Sequence, residues 1–311
     1  MNGCLGKTLG RAIGRKESPP SPPVIVTRES FGLMVDGGFL QYPSGTPRPG
    51  VTIDIPFGLI RTWDTGAVPY QIARGNWDGF DGILNFAAER QLEVMYCFGW
   101  HKDLTPWELC VPGTQVPQIL PWVALVNHIL DRAAGRIKYW ELWNEPAVGS
   151  LYWQGGTVQH LFQLAEHAAR IIKARHPQSV LLTPAFNAIR EEYGRVFLDQ
   201  YLALMAKHGS SADRLAFHSY DGTPEGTMES VRIIRALMGR HKVTLPLHCT
   251  EIALVGTTEA ETAKNMERVF TLLAQEGIPW VWDAHIPGAE CYSATEGLGR
   301  TWKATFDRLS P

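Results

Sequence analysis

Several classes of protein are closed to this chain by what it lacks. Cysteine is scarce: five residues in 311 (Cys4, Cys97, Cys110, Cys249, Cys291), an odd number without CxxC spacing, which argues against a disulfide framework and a zinc site. Neither sign of charge prevails, with 29 Lys and Arg against 31 Asp and Glu. The basic residues are scattered, so the footprint of a nucleic-acid or anionic-membrane partner is missing. No apolar run approaches the roughly 18 residues of a membrane span. Residues 1–23 hold Lys7, Arg11, Arg15 and Lys16, then SPPSPP at 18–23, and lack the apolar core of a secretory signal. Residues 1–29 are therefore expected to be a flexible, Pro-rich leader, and the protein is expected to be cytoplasmic. No glycine-rich phosphate turn follows the first strand-like run, and neither HxH on an early strand nor HExxH on a helix occurs.

What is present is a repeating alternation. Hydrophobic residues make up 45% and charged residues 19%, the balance of a globular chain with a sizeable core. From Ser30 onward, eight strand-like runs can be counted: 31–36, 57–64, 92–99, 137–145, 180–187, 215–221, 246–254 and 279–285. Between them lie segments of helical period, including 79–91, 118–134, 157–176, 192–209, 225–240 and 258–277. Thr157 and Thr258 suit N-caps, and Gly209 and Gly277 suit helix ends. Eight near-continuous apolar strands separated by amphipathic helices predict an α/β fold, a single (β/α)8 TIM barrel over 30–311. An open doubly wound sheet is the alternative. The first unit is the least regular, since 37–56 is rich in Gly and Pro and reads as a long loop.

In such a barrel, catalytic groups project from the carboxyl ends of the strands. The residues closing the runs are Asp36, then Arg61 and Asp64, Trp100 and His101, Asn144 and Glu145, Asn187, His218 and Tyr220, Glu251, and finally Trp282, Asp283 and His285. Glu145 and Glu251 stand out, on strands four and seven in apolar surroundings. Two carboxyl groups facing one another are the minimal apparatus for cleaving a glycosidic bond. One donates a proton to the leaving oxygen while the other meets positive charge growing at the anomeric carbon. The apolar neighbours of Glu145 are expected to raise its pKa toward the acid form, and Arg61 with the Tyr220 hydroxyl to keep Glu251 ionised as nucleophile.

These residues carry a resemblance. With LWNEP at 142–146 and TEIAL at 250–254, the chain resembles the clan A glycoside hydrolases; IRTWDTG at 60–66 and NWDGFDGILNFAAERQLEVMY at 76–96 are most similar to family 39, with family 5 next. The resemblance covers about 30–290. It implies a retaining mechanism on a carbohydrate substrate, without metal or organic cofactor, with Glu145 as acid/base and Glu251 as nucleophile. It further implies that Asn144 binds the sugar 2-hydroxyl, that His218 and Tyr220 flank the nucleophile, and that Arg61 is the strand-two arginine. The pattern departs at the third strand, where Trp100 to Thr105 precede Pro106 and Trp107. His101 and Trp107 are thus alternatives for lining the sugar site, His101 being the candidate taken.

The eighth strand offers two tryptophans, expected on alternate faces: Trp282 as the sugar-stacking platform, Trp280 as barrel packing. Trp122 and Trp302 are expected in the core, while Trp153 is open between core and subsite wall. His248, three positions before Glu251, is expected on the opposite side of its strand. Two rival functions remain. One is a divalent-metal barrel using Asp64, His101, Glu145, His218, Glu251, Asp283 and His285; the other is a non-catalytic carbohydrate-binding barrel.

Overall fold

The computed structural model describes residues 26–34, 40–41, 46–47, 53–63, 77–99, 109–147, 152–284, 286–291 and 293–310. The apolar runs form parallel strands, as expected of segments buried on both faces. These are β1 (Phe31–Met34), β2 (Leu59–Trp63), β3 (Glu93–Cys97), β4 (Tyr139–Glu141), β5 (Val180–Leu182), β6 (Leu215–Ser219), β7 (Leu247–Ile252) and β8 (Trp280–Asp283). Each ladder joins neighbours in sequence, and β1 pairs with β8. Single parallel bridges, Leu182 to Arg214 and Phe186 to Phe217, link β5 to β6. The sheet is therefore closed, a (β/α)8 barrel and not an open doubly wound sheet. A short antiparallel ribbon pairs Leu40–Gln41 with Thr46–Pro47, and no helix follows β1 among the described residues.

Among the described residues, seven helices follow the other strands: α1 (Asp78–Glu89), α2 (Ile119–Ala133), α3 (Val158–Arg175), α4 (Glu192–His208), α5 (Pro224–His241), α6 (Glu259–Gln275) and α7 (Gly297–Leu309). Their starts carry the capping chemistry visible in the sequence. Thr157 and Thr258 accept the amides of His160 and Glu261 at 3.1 and 3.2 Å. Gly209 and Gly277 adopt positive φ just past α4 and α6, a conformation in which glycine has no Cβ to clash. No helix among the described residues is long and apolar enough to cross a membrane.

The strands sort their side chains with period two. The inner face holds a small apolar plug including Leu59, Met95, Tyr139, Leu182, Ala216 and Val281. The outer face packs aromatics such as Phe31, Tyr96, Trp140 and Phe217 into the core it shares with the helices. Trp122 and Trp302 lie in that core as expected. So do both tryptophans of β8, because residues two apart in a strand share a face. Trp280 stacks on Phe270 of α6 at 4.9 Å, and Trp282 meets the same ring edge-on at 5.6 Å while donating its indole N–H to the Ala289 carbonyl at 2.8 Å. Trp282 is fully buried between barrel and helix, so the expected stacking platform is a packing residue. Trp153 is also core, edge-on to Trp143 at 5.2 Å.

Local register corrects a second expectation. Between β6 and β7 the pairing passes from Phe217 with Cys249 to His218 with Glu251, leaving Thr250 as one extra residue. This bulge resets the alternation, so His248 and Glu251 both face the barrel interior instead of opposite sides. His248 is buried low in the barrel beside Arg214, with Nδ1 3.2 Å from the guanidinium.

The barrel also begins earlier than the expected boundary at residue 30. Arg28–Ser30 form a 3-10 turn in which Arg28 donates to the Phe57 carbonyl at 2.7 Å and Glu29 bonds Tyr139 and Lys138. Residues 1–25 of the expected leader lie outside the described residues.

Candidate active site

The upper inner face of the barrel is polar, in contrast to the apolar plug beneath it. Arg61 rises from β2 and is completely buried among acidic groups. Its Nη1 donates to Glu251 Oε1 at 2.6 Å, while Nε and Nη2 both reach Glu141 Oε2 at 2.8 and 2.6 Å. Nη2 also donates to Asn144 Oδ1 at 2.9 Å. One guanidinium thus fixes three side chains from β4, the segment after it and β7. Burial alone would lower the Arg61 pKa, but the charges of Glu141 and Glu251 outweigh it and hold the group well above its ordinary value.

Glu145 lies just beyond β4 with φ +44°, a left-handed backbone conformation that costs a non-glycine residue about 1 to 3 kcal/mol. The turn is fixed by neighbouring pairing: Asn144 bridges Ala185, and the Glu145 amide donates to the Ala185 carbonyl at 3.1 Å. Its carboxyl Oε1 shares a hydrogen bond of 2.8 Å with His218 Nδ1, which is also 3.4 Å from Glu251 Oε2. One oxygen of each glutamate and one imidazole nitrogen lie within 4.8 Å of one another. His218 is buried, and burial would lower its pKa; the Glu251 charge and the Glu145 hydrogen bond outweigh it, so the imidazole is held above its ordinary value.

The expectation for Glu145 is reversed in sign. Burial does push its pKa up, but hydrogen bonding and charge from His218 prevail and hold the carboxyl below its ordinary value. In the free protein, the proton of this pair is favoured on the imidazole side. Besides the bond from Arg61, Glu251 accepts at Oε2 from the Tyr220 hydroxyl at 2.6 Å. That hydroxyl is also 2.7 Å from Asp283 Oδ2 at the end of β8. Burial, then the two carboxylates, hold the phenol pKa far above its ordinary value, so it stays protonated.

The structure thus brings together Arg61, Asn144, Glu145, His218, Tyr220 and Glu251. It removes Trp282, and His101 lies outside the described residues, as do Asp36, Asp64, Trp100, Trp107 and His285. Three further participants emerge. Glu141 is a buried counter-ion to Arg61, Asp283 is a second partner for Tyr220, and Tyr152 is near enough to both glutamates that, after burial, their charges help push its hydroxyl up to about 12. Glu141 has a legible signal, a carboxylate pointing inward from the otherwise apolar YWELW; Tyr152 has none.

The arrangement sets four carboxylates, Glu141, Glu145, Glu251 and Asp283, around one guanidinium and one imidazole. Such a site favours positive charge developing at a bound reactant. Glu145, His218 and Glu251 would also offer three atoms to a metal ion. However, both oxygens of Glu251 are already taken by Arg61 and Tyr220, and a cation would have to displace donors at 2.6 Å.

Comparison with known proteins bears on the family and the fold. Residues 120–281 match the family described as glycosyl hydrolase catalytic core. No curated protein matches the sequence. Among solved structures, a glucosidase from Croceicoccus marinus is similar with TM-score 0.67 at 15% identity, over 93% of this chain and 69% of that one. A family 39 glycoside hydrolase from Bacteroides cellulosilyticus WH2 aligns with TM-score 0.55 at 14% identity, over 83% of this chain and 57% of that one. TsXylA, an intracellular xylanase from Thermoanaerobacterium saccharolyticum JW/SL-YS485, aligns with TM-score 0.56 at 13% identity, over 85% and 89%.

Proposed function

We propose that this chain, which belongs to the glycosyl hydrolase catalytic-core family, is a retaining glycoside hydrolase with Glu251 as its nucleophile and Glu145 as its acid/base. The observation that carries these roles is the facing pair itself, oxygens of Glu145 and Glu251 within 4.8 Å, with different neighbours for each. Retention calls for carboxyl groups about 5 to 5.5 Å apart, against roughly 6.5 to 9.5 Å for inversion.

The division of labour follows from those neighbours. Glu251, held by the hydrogen bond from Arg61, attacks the anomeric carbon while Glu145 protonates the departing oxygen, using the proton its pair with His218 carries. The glycosyl ester on Glu251 is then opened by water that Glu145 deprotonates. Asn144 gives its Oδ1 to Arg61, which leaves the amide nitrogen as the group to meet a sugar 2-hydroxyl. A β-linked oligo- or polysaccharide is the substrate class this reading names. No organic or metal cofactor enters these steps, and the rival of a non-catalytic binding barrel has no support in a site where both carboxyl groups keep their partners.

The test uses aryl β-glycosides and polysaccharides with wild type and Glu251→Ala, with NMR of the first-formed anomer. Expected are a retained anomer, a loss of turnover on the order of 10⁴-fold or more in the variant, and partial rescue by azide, which supplies an external nucleophile. An inverted anomer, or a variant as active as wild type, overturns the assignment.

A further inference from the structure

The Tyr220 hydroxyl has one hydrogen and two carboxylate neighbours, Glu251 Oε2 at 2.6 Å and Asp283 Oδ2 at 2.7 Å. It cannot donate to both at once. Asp283 closes β8, is buried, and shares the inner face with Val281, so a strand fixes the acceptor. We propose that Asp283 is a positioning residue that takes over the Tyr220 hydrogen when Glu251 carries the sugar, so that a hydrogen shared between the two carboxylates in the free enzyme is held by Asp283 alone in the glycosyl-enzyme. The inference rests on Glu251 being the nucleophile.

The reason is electrostatic. While Glu251 is an anion, it competes for the hydroxyl hydrogen on equal terms with Asp283, since hydrogen bonds to ionised acceptors are roughly twice as strong as neutral ones. When the C1–O bond to Glu251 forms, the negative charge of that carboxylate is consumed and the ester oxygens become weak acceptors. Rotation about the phenol C–O bond then turns the hydrogen to Asp283; no covalent bond breaks and no proton leaves Tyr220. The phenol lone pairs are left facing the anomeric centre, where positive charge develops as the ester is opened. Without Asp283 the hydroxyl would hold its hydrogen, the positive end of its dipole, toward that centre. The elevated pKa of the phenol fits a group that reorients without ionising.

The effect falls on the second half-reaction, and two experiments read it. With 2,4-dinitrophenyl β-D-glucoside and β-D-xyloside, whose good leaving group makes ester hydrolysis rate-limiting, Asp283→Asn is expected to lower kcat about tenfold or more. Its kcat/KM should stay within about threefold, and the dinitrophenolate burst should be followed by a correspondingly slower steady state than in wild type. In a Tyr220→Phe background the same substitution should add nothing. Parallel falls in kcat and kcat/KM, or an equal cost in both backgrounds, overturn the proposal. The second readout needs no turnover: the Tyr220 hydroxyl proton is followed by NMR in Glu251→Gln, which removes the same charge as esterification. The short hydrogen bond should persist there and vanish on adding Asp283→Asn; its loss in Glu251→Gln alone overturns the switch. Failure of the nucleophile assignment shows separately, as full turnover in Glu251→Ala.

Discussion

The two ends of the barrel interior carry polar clusters of opposite design. At the lower end the charges stand near water, with Lys138 between two carboxylates and Arg214 close enough to act on Glu29. Lys138 bonds Glu29 at 2.8 Å and reaches Glu93 at 3.3 Å, Tyr139 donates to Glu29 at 2.6 Å, and Lys138, Glu29 and Glu93 are each about a third exposed. At the upper end, four carboxyl groups share one guanidinium and one imidazole, and Arg61 and Glu141 are fully buried. Half-wet pairs cost little to assemble and contribute little. A buried cluster with excess negative charge is expensive to assemble, and its use is to meet a cation that forms only during reaction. The same polarity, stability below and chemistry above, is the general division of labour in these barrels.

If that contrast is right, Arg61→Met is the most damaging change. It leaves Glu141 and Glu251 buried without their shared cation, and removing one partner of a buried pair costs about 3 to 5 kcal/mol. Chemical denaturation should show a loss of that size, and turnover should fall with it because Asn144 and Glu251 lose their common anchor. A variant of wild-type stability would mean that the cluster is not the strained region described.

A smaller effect is expected at His218, and its sign is set by the two shifts. The imidazole is held above its ordinary 6.5, by Glu251 and Glu145 against the pull of burial. The Glu145 carboxyl is held below its ordinary 4.5, by His218 against the push of burial. Between those values the pair holds one proton on the imidazole side. It is lost as pH rises through the raised His218 value, so the alkaline limb of kcat/KM should lie above 6.5. In His218→Gln the proton must sit on Glu145 alone, a carboxyl that loses it at lower pH than an imidazole held above its ordinary value. The limb should move down, and kcat/KM at pH 7 should fall roughly 10- to 100-fold. An unmoved limb would detach His218 from the acid.

How far the sequence reaches depends on whether the deciding neighbour is near in the chain. Strand and helix periods and the Thr caps are local, so α3 and α6 begin where Thr157 and Thr258 indicated. The strands β4 and β5 are shorter than their apolar runs because Pro184 lacks an amide for the ladder and Glu145 turns the chain at φ +44°. The facing glutamates were legible because the barrel rule places strand ends together. Faces were less secure: Trp282 was misassigned against strict period-two reading, and His248 because nothing in PLHCTEIAL announces the bulge at Thr250. The Glu145 pKa was read from Trp143 and Pro146, whereas the group that decides it is 73 residues away on β6. Glu141 closes β4 but lies inside the longer apolar run 137–145, so the rule that singles out run ends passes over it.

Lys138→Met gives the smallest effect and the sharpest check on the lower end. Burial lowers the Lys138 pKa, but the Glu29 hydrogen bond and nearby Tyr139 and Glu93 outweigh it and hold the ammonium above its ordinary value. That shift is not a measure of stability, because both partners stand in water over more than a third of their surface. Exposed pairs contribute about 0 to 1 kcal/mol, and methionine keeps the apolar stem of lysine against the Tyr139 ring, over which the ammonium sits at 5.3 Å. Denaturation should therefore shift by less than about 1 kcal/mol, with kcat and KM unchanged, since no described contact links Lys138 to Arg61 or the glutamates it holds. A loss comparable to that of Arg61→Met would show that the lower cluster is as interdependent as the upper one, and that the two ends of the barrel are not built on different principles.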